Sequence, residues 1–173
     1  MSSSPDVRTI LRRLKPEKHP EALKRRRLSD LPFIESTSEL PRVLLYDTTV
    51  YVDILQGRFP MAGEVAIRAA DVWHSTVTEA ELIAPCGLLD SQHPGTAGAI
   101  EQITAVIERR PPHHTLAPDR EIWLSAGILA GTLARLQHYG RAERRRVLND
   151  ALIFATARKH GMTVFTRNTD DFD

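Results

Sequence analysis

One cysteine, Cys86, is all the chain possesses, so an internal disulfide is excluded and a reducing compartment suits the protein. No apolar run approaches the roughly 20 residues a membrane-spanning helix needs. The N-terminal stretch lacks the apolar core of a secretory signal. A cytoplasmic protein with no membrane attachment is therefore expected. The glycines build no phosphate-cradling loop, and the histidines do not fall at the spacing of a zinc helix. Cys86 has no evident partner for nucleophilic catalysis. Disulfide scaffold, membrane span, nucleotide-loop enzyme and zinc hydrolase all recede together.

What is present is ordinary in amount and uneven in place. The 173 residues are 42% hydrophobic and 26% charged, enough for one domain and an appendage. The formal net charge of +1 conceals a basic N-terminal stretch and acids gathered later. Residues 1–42 carry Lys and Arg from Arg8 to Arg27 and are punctuated by Pro5, Pro16, Pro20, Pro32 and Pro41. This basic extension is expected to be partly disordered and partly helical, with short helices over 7–14 and 20–28.

From Val43 onward, short apolar runs alternate with helical patterns. Strands are expected at 43–46, 72–77, 114–116 and 162–165. Helices are expected at 48–55, 64–71, 78–85, 95–109 and 118–138, with a last one starting near Asp150. Residues 151–157 are apolar or small on every side, so that last helix is expected to be buried. Gly161 follows Lys159 and His160 where a left-handed cap is expected. Strands separated by helices imply a parallel α/β sheet with right-handed crossovers.

Acids recur where such a sheet gathers its ligands, at the carboxyl ends of its strands. Asp47 follows the first strand, Glu81 lies one helical turn after the second, and Asp170 and Asp171 follow the last. Asp150 starts the helix feeding that last strand. Each has a competing local role. Asp47 can cap the helix from Thr48, Thr78-Glu79-Ala80-Glu81 matches a capping box, and Asn149 or Asp150 can cap its own helix. Their joint placement favours a cation-binding cluster, because acids at the edge of an apolar core need compensation.

Three local patterns carry a family resemblance. They are Leu45-Tyr46-Asp47-Thr48-Thr49-Val50-Tyr51-Val52-Asp53, Ser75-Thr76-Val77-Thr78-Glu79-Ala80-Glu81-Leu82, and Asn149-Asp150-Ala151-Leu152-Ile153-Phe154-Ala155-Thr156-Ala157 with Thr166-Arg167-Asn168-Thr169-Asp170-Asp171-Phe172. In order and spacing they resemble PIN-domain proteins, more narrowly the VapC-type toxin ribonucleases of toxin–antitoxin systems, over about residues 43 to 172. The resemblance implies a three-layer α/β/α domain (43–173) with a central, mainly parallel sheet. It implies Mg²⁺ or Mn²⁺ held by Asp47, Glu81, Asp150 and Asp171, and hydrolysis of RNA. It assigns Glu81 rather than Glu79, and Asp171 rather than Asp170. Thr49, Thr166, Asn168 and Asp170 would support the acids, and Arg167, Arg144, Arg145 and Arg146 would contact RNA phosphates. A cognate antitoxin and a homodimer are the implied partners. A catalytically weak or inactive module that binds RNA or protein is the alternative. Thr49 stands where the family often has Asn or Ser, and retains a hydroxyl. The family continues past its Asp-Phe pair into another strand, so a domain without its final strand is expected. Asp53, two helical turns from Asp47, is expected to support the structure rather than the chemistry.

Overall fold

Val43 to Tyr46 show how the sheet is buried on both faces. Leu44 and Tyr46 enter one apolar cluster, whereas Leu45 enters the other, as alternation along a strand requires. In the computed structural model the described residues are 6–21, 24–35 and 42–172, with the side chains of Ala142, Asp170 and Asp171 excepted.

Among them, α1 spans Val7–Leu14, β1 Val43–Tyr46, α2 Thr48–Leu55, α3 Met61–Ala69, β2 Asp71–Ser75 and α4 Thr76–Ile83. Then follow α5 Thr96–Glu108, β3 Thr115–Leu116, α6 Arg120–Leu136, α7 Arg141–His160, β4 Thr163–Phe165 and the single turn α8 Thr169–Phe172. The sheet order is β3-β2-β1-β4 and every pairing is parallel. Leu45 faces Trp73 on one side, and Tyr46 faces Phe165 on the other. Ile122 and Ala126 of α6 pack with Leu152 and Ile153 of α7 against one face. Val50 and Tyr51 of α2 and Leu82 of α4, with partly buried Ile67, Val106 and Ile107, cover the other. The architecture is the expected three-layer α/β/α sandwich.

Four local expectations change. The chain turns from β2 into α4 two residues early, because Ser75 caps the helix: its Oγ accepts from Val77 N at 3.2 Å. The last helix begins at Arg141, not near Asp150, with Gly140 N donating to Glu143 Oε2 at 2.7 Å. Asp150 is therefore mid-helix. Of the helix expected over 20–28, residues 22 and 23 lie outside the described residues, the others up to 27 are non-helical, and Leu28 opens a short 3₁₀ turn, Leu28–Asp30. The polar loop after β4 closes into α8. Gly161, at φ 67°, ends α7 as expected and donates to Ala157 O; the left-handed backbone there suits a residue without Cβ.

The basic extension is anchored at its start. Ile10 is fully buried, which contributes about 2 kcal/mol or more. Arg13 donates to Glu121 Oε1 at 3.0 Å and Ser125 Oγ at 3.2 Å, and Arg135 donates to Pro16 O at 2.9 Å. These contacts lay α1 along α6. Among the described residues no helix is long and apolar enough to cross a membrane.

Candidate active site

The site forms where β1 and β4 end and where α4 and α7 pass. Asp47, directly after β1, is 3% exposed. It occupies the cap position of α2 but makes no capping hydrogen bond. Its Oδ2 instead accepts from Thr49 Oγ1 and from Thr166 Oγ1, both at 2.7 Å. The Thr49 hydroxyl also accepts from Arg167 N at 3.0 Å, and Thr166 Oγ1 accepts from Asn168 N at 2.8 Å. A chain of hydroxyls thus ties the end of β1 to the segment after β4. Parallel pairing makes this possible, because both strands end on the same side.

Glu81 is no capping-box acid either. Its Oε2 accepts a short hydrogen bond from Thr48 Oγ1, and its Oε1 accepts from Asn149 Nδ2 at 2.7 Å. The Thr78 hydroxyl, fully buried, donates to Tyr46 O at 3.2 Å. Glu79, on the same helix, turns away to Arg110, 3.7 Å distant. Helical geometry separates two acids that are two residues apart, so Glu81 turns to Thr48 and Asn149 while Glu79 turns to Arg110. Asp150, 9% exposed, follows Asn149 on α7. The side chains of Asp170 and Asp171 lie outside the described residues.

Asp53 behaves as expected of a structural acid: Arg167 Nε stands 3.2 Å away and Arg58 Nη2 3.5 Å away. Arg167 is thus engaged with Asp53 while remaining over half exposed. Arg144, Arg145 and Arg146 are exposed on the opening turns of α7. Neither Asp47 nor Glu81 has a basic partner among the described residues. A buried carboxylate such as Asp47, met only by neutral donors, leaves negative charge uncompensated, and an all-oxygen donor set suits a hard divalent cation. Among the described residues, however, no three His, Cys, Asp or Glu side chains converge closely enough to hold a metal ion. Both Glu81 oxygens are occupied, by Thr48 and by Asn149.

The sequence does not single out Thr48 and Asn149 as supports. Nothing local marks Thr48, since its partner Glu81 is brought by tertiary packing. Asn149 carries a signal, adjacency to Asp150, but it reads equally as a cap.

A second polar cluster joins α2, β2 and the segment after α5. The Tyr51 hydroxyl and His74 Nδ1 share a short hydrogen bond, and the Arg110 guanidinium sits 3.9 Å from the centroid of the Tyr51 ring. Burial first, then the nearby positive charge of Arg110, lowers the His74 pKa to about 4. Burial also raises the phenol pKa values of Tyr46 and Tyr51.

The PIN-domain family model matches residues 44–173. The chain belongs to the PIN-domain family. PIN domains are generally nucleases. The matched span opens one residue into β1 and includes all the acids described. Among solved structures, the PIN-domain chain is similar to one described as the structure of FitAB bound to an IR36 DNA fragment. That likeness has 25% identity, covers 75% of this chain and 87% of the other, and has a TM-score of 0.52. Among curated proteins no sequence matches the chain.

Proposed function

We propose that the protein is a metal-dependent endoribonuclease, acting in the cytoplasm as the toxin of a toxin–antitoxin pair. The observation that carries the reading is the pair Asp47 and Glu81. Their carboxylates are held by neutral hydroxyl and amide donors from the segments after β1 and β4 and from α7, without a basic partner among the described residues. PIN-family membership and the likeness of three segments to VapC-type toxins support it. Asp47, Glu81, Asp150 and Asp171 would hold Mg²⁺ or Mn²⁺. A bound ion supplies an acidified water and offsets charge on the phosphate. Thr49 and Thr166 fix Asp47, and Thr48 and Asn149 fix Glu81. Arg144, Arg145 and Arg146, on the stretch of α7 just before Asp150, would meet flanking phosphates. An antitoxin supplying an Arg would pair well with such carboxylates, and a homodimer is the proposed assembly.

A second reading, a PIN module that binds RNA or protein without cleaving, is favoured by the lack of a converged metal triad among the described residues. One assay separates the two. Purified protein should cleave single-stranded RNA with Mn²⁺ or Mg²⁺ and stop with a chelator. Asp47→Asn and Glu81→Gln should each lower the rate by about a hundredfold or more, the loss typical of a removed charge-stabilising group. No cleavage at any metal concentration, or equal cleavage by the variants, favours the binding module.

A further inference from the structure

Phe154 breaks the pattern of its helix. It lies between Ile153, fully buried, and Ala155, 7% exposed, yet is itself 42% exposed. It follows Asp150 by four residues, which places both on one face of α7, a turn apart. Both line a cavity of about 410 Å³. Leu133, Leu136 and Tyr139 add apolar and aromatic wall. The opposite rim comes from the basic extension, through His19, Lys24 and Arg25, all exposed.

We infer that this cavity is a nucleotide-binding site for single-stranded RNA, with one unstacked base lying on Phe154 and its phosphate held by Lys24 and Arg25. The inference rests on the nuclease reading for its substrate class. The volume falls within the roughly 300–1,000 Å³ usual for ligand sites. An aromatic wall beside a cationic rim is the combination that binds single strands: rings take bases, and Lys or Arg take the backbone. A duplex offers no free base to such a wall. The base on Phe154 would lie one helical turn from Asp150, beside the proposed cleavage site. The extension thereby becomes part of the substrate channel, contributing cations that the acid-lined strand ends do not.

The test is equilibrium binding of the full-length protein to a fluorescein-labelled 12-nucleotide single-stranded RNA, in chelator so that cleavage cannot intervene. Phe154→Ala should weaken binding about tenfold, within the range for one stacked base. Phe154→Leu, which keeps apolar bulk, should lose as much with an unchanged melting midpoint, and Phe154→Trp should restore affinity. Binding to a 12-base-pair RNA duplex should not respond to these changes. The double variant Lys24→Ala/Arg25→Ala should weaken binding and reduce the slope of log K against log salt by about 0.7 for each phosphate the rim no longer neutralises. Unchanged affinity in Phe154→Leu and in the double variant overturns the inference. Tighter binding by the double variant also overturns it, since the extension would then obstruct the site. A protein that binds in this pattern but never cleaves sinks the nuclease reading and spares this one. A protein that cleaves but ignores both sets of variants does the reverse.

Discussion

Asp47 owes its position to two hydroxyls that meet on one oxygen. Thr49 comes from the start of α2 and Thr166 from beyond β4, and each donates at 2.7 Å. Groups that orient a metal-binding carboxylate typically matter about 10–100-fold in metal affinity or rate. Thr49→Val and Thr166→Val are therefore expected to weaken Mn²⁺ activation by that range while leaving the fold intact. Thr49→Ser should retain most activity, because it keeps the hydroxyl. Metal titrations of cleavage rate check this, and a Thr166→Val protein with wild-type Mn²⁺ dependence would show that the hydrogen bond is incidental.

At the level of elements, the Tyr51–His74–Arg110 cluster joins α2, β2 and the segment after α5, and Glu79 ties α4 to it. It has a pH signature. His74 titrates at about 4 in the folded chain, against 6.5 for a free histidine. Between those values the unfolded chain takes up a proton on His74 and the folded chain does not. Its contribution to stability is therefore complete above about pH 6.5 and is lost as pH falls toward 4, by at most about 3 kcal/mol. Replacing both partners at once, His74→Phe with Tyr51→Phe, leaves neither half of their hydrogen bond unpaired and keeps a ring beneath Arg110. Urea unfolding from pH 4 to 7 should then show a flatter dependence than wild type. Equal slopes would mean that His74 does not govern acid stability. The helix α7 serves two places at once: Asn149 reaches Glu81, while Asp150 and Phe154 line the cavity.

Across the whole molecule, the proposed ion links segments from both ends of the matched domain. Binding to the native arrangement alone stabilises it by mass action, about 2.7 kcal/mol at a hundred times the Kd. For a chain of this size that corresponds to a rise in melting midpoint of about 5–10 °C. Saturating Mn²⁺ should produce such a rise in the wild-type protein, and Asp47→Asn should abolish it. A midpoint indifferent to Mn²⁺ would count against a formed site whatever the nuclease assay gives.

By itself the sequence determined the layer architecture. Alternating strand and helix patterns, the apolar run Val43–Tyr46, the β-rich run over 162–165, and the glycine after His160 are local signals, and local chemistry settles them. It also marked Asp47 after the first strand, Glu81 one helical turn after the second, and Asp150 on the helix feeding the last. Whether they were caps or site residues was undecidable there, because a cap and a site acid occupy the same sequence position. Tertiary structure set aside the cap for Asp47 and the capping box for Glu81 by supplying other partners: Thr166 for Asp47, Asn149 for Glu81, and Arg110 to draw Glu79 away. It placed Asp150 in mid-helix, since Gly140 and Glu143 start α7 earlier than the apolar run indicates. It also exposed Phe154 within a stretch that composition reads as wholly buried. Periodicity reports how much of a helix is apolar, whereas which side faces another element depends on residues far away in the chain, here those of the basic extension and α6.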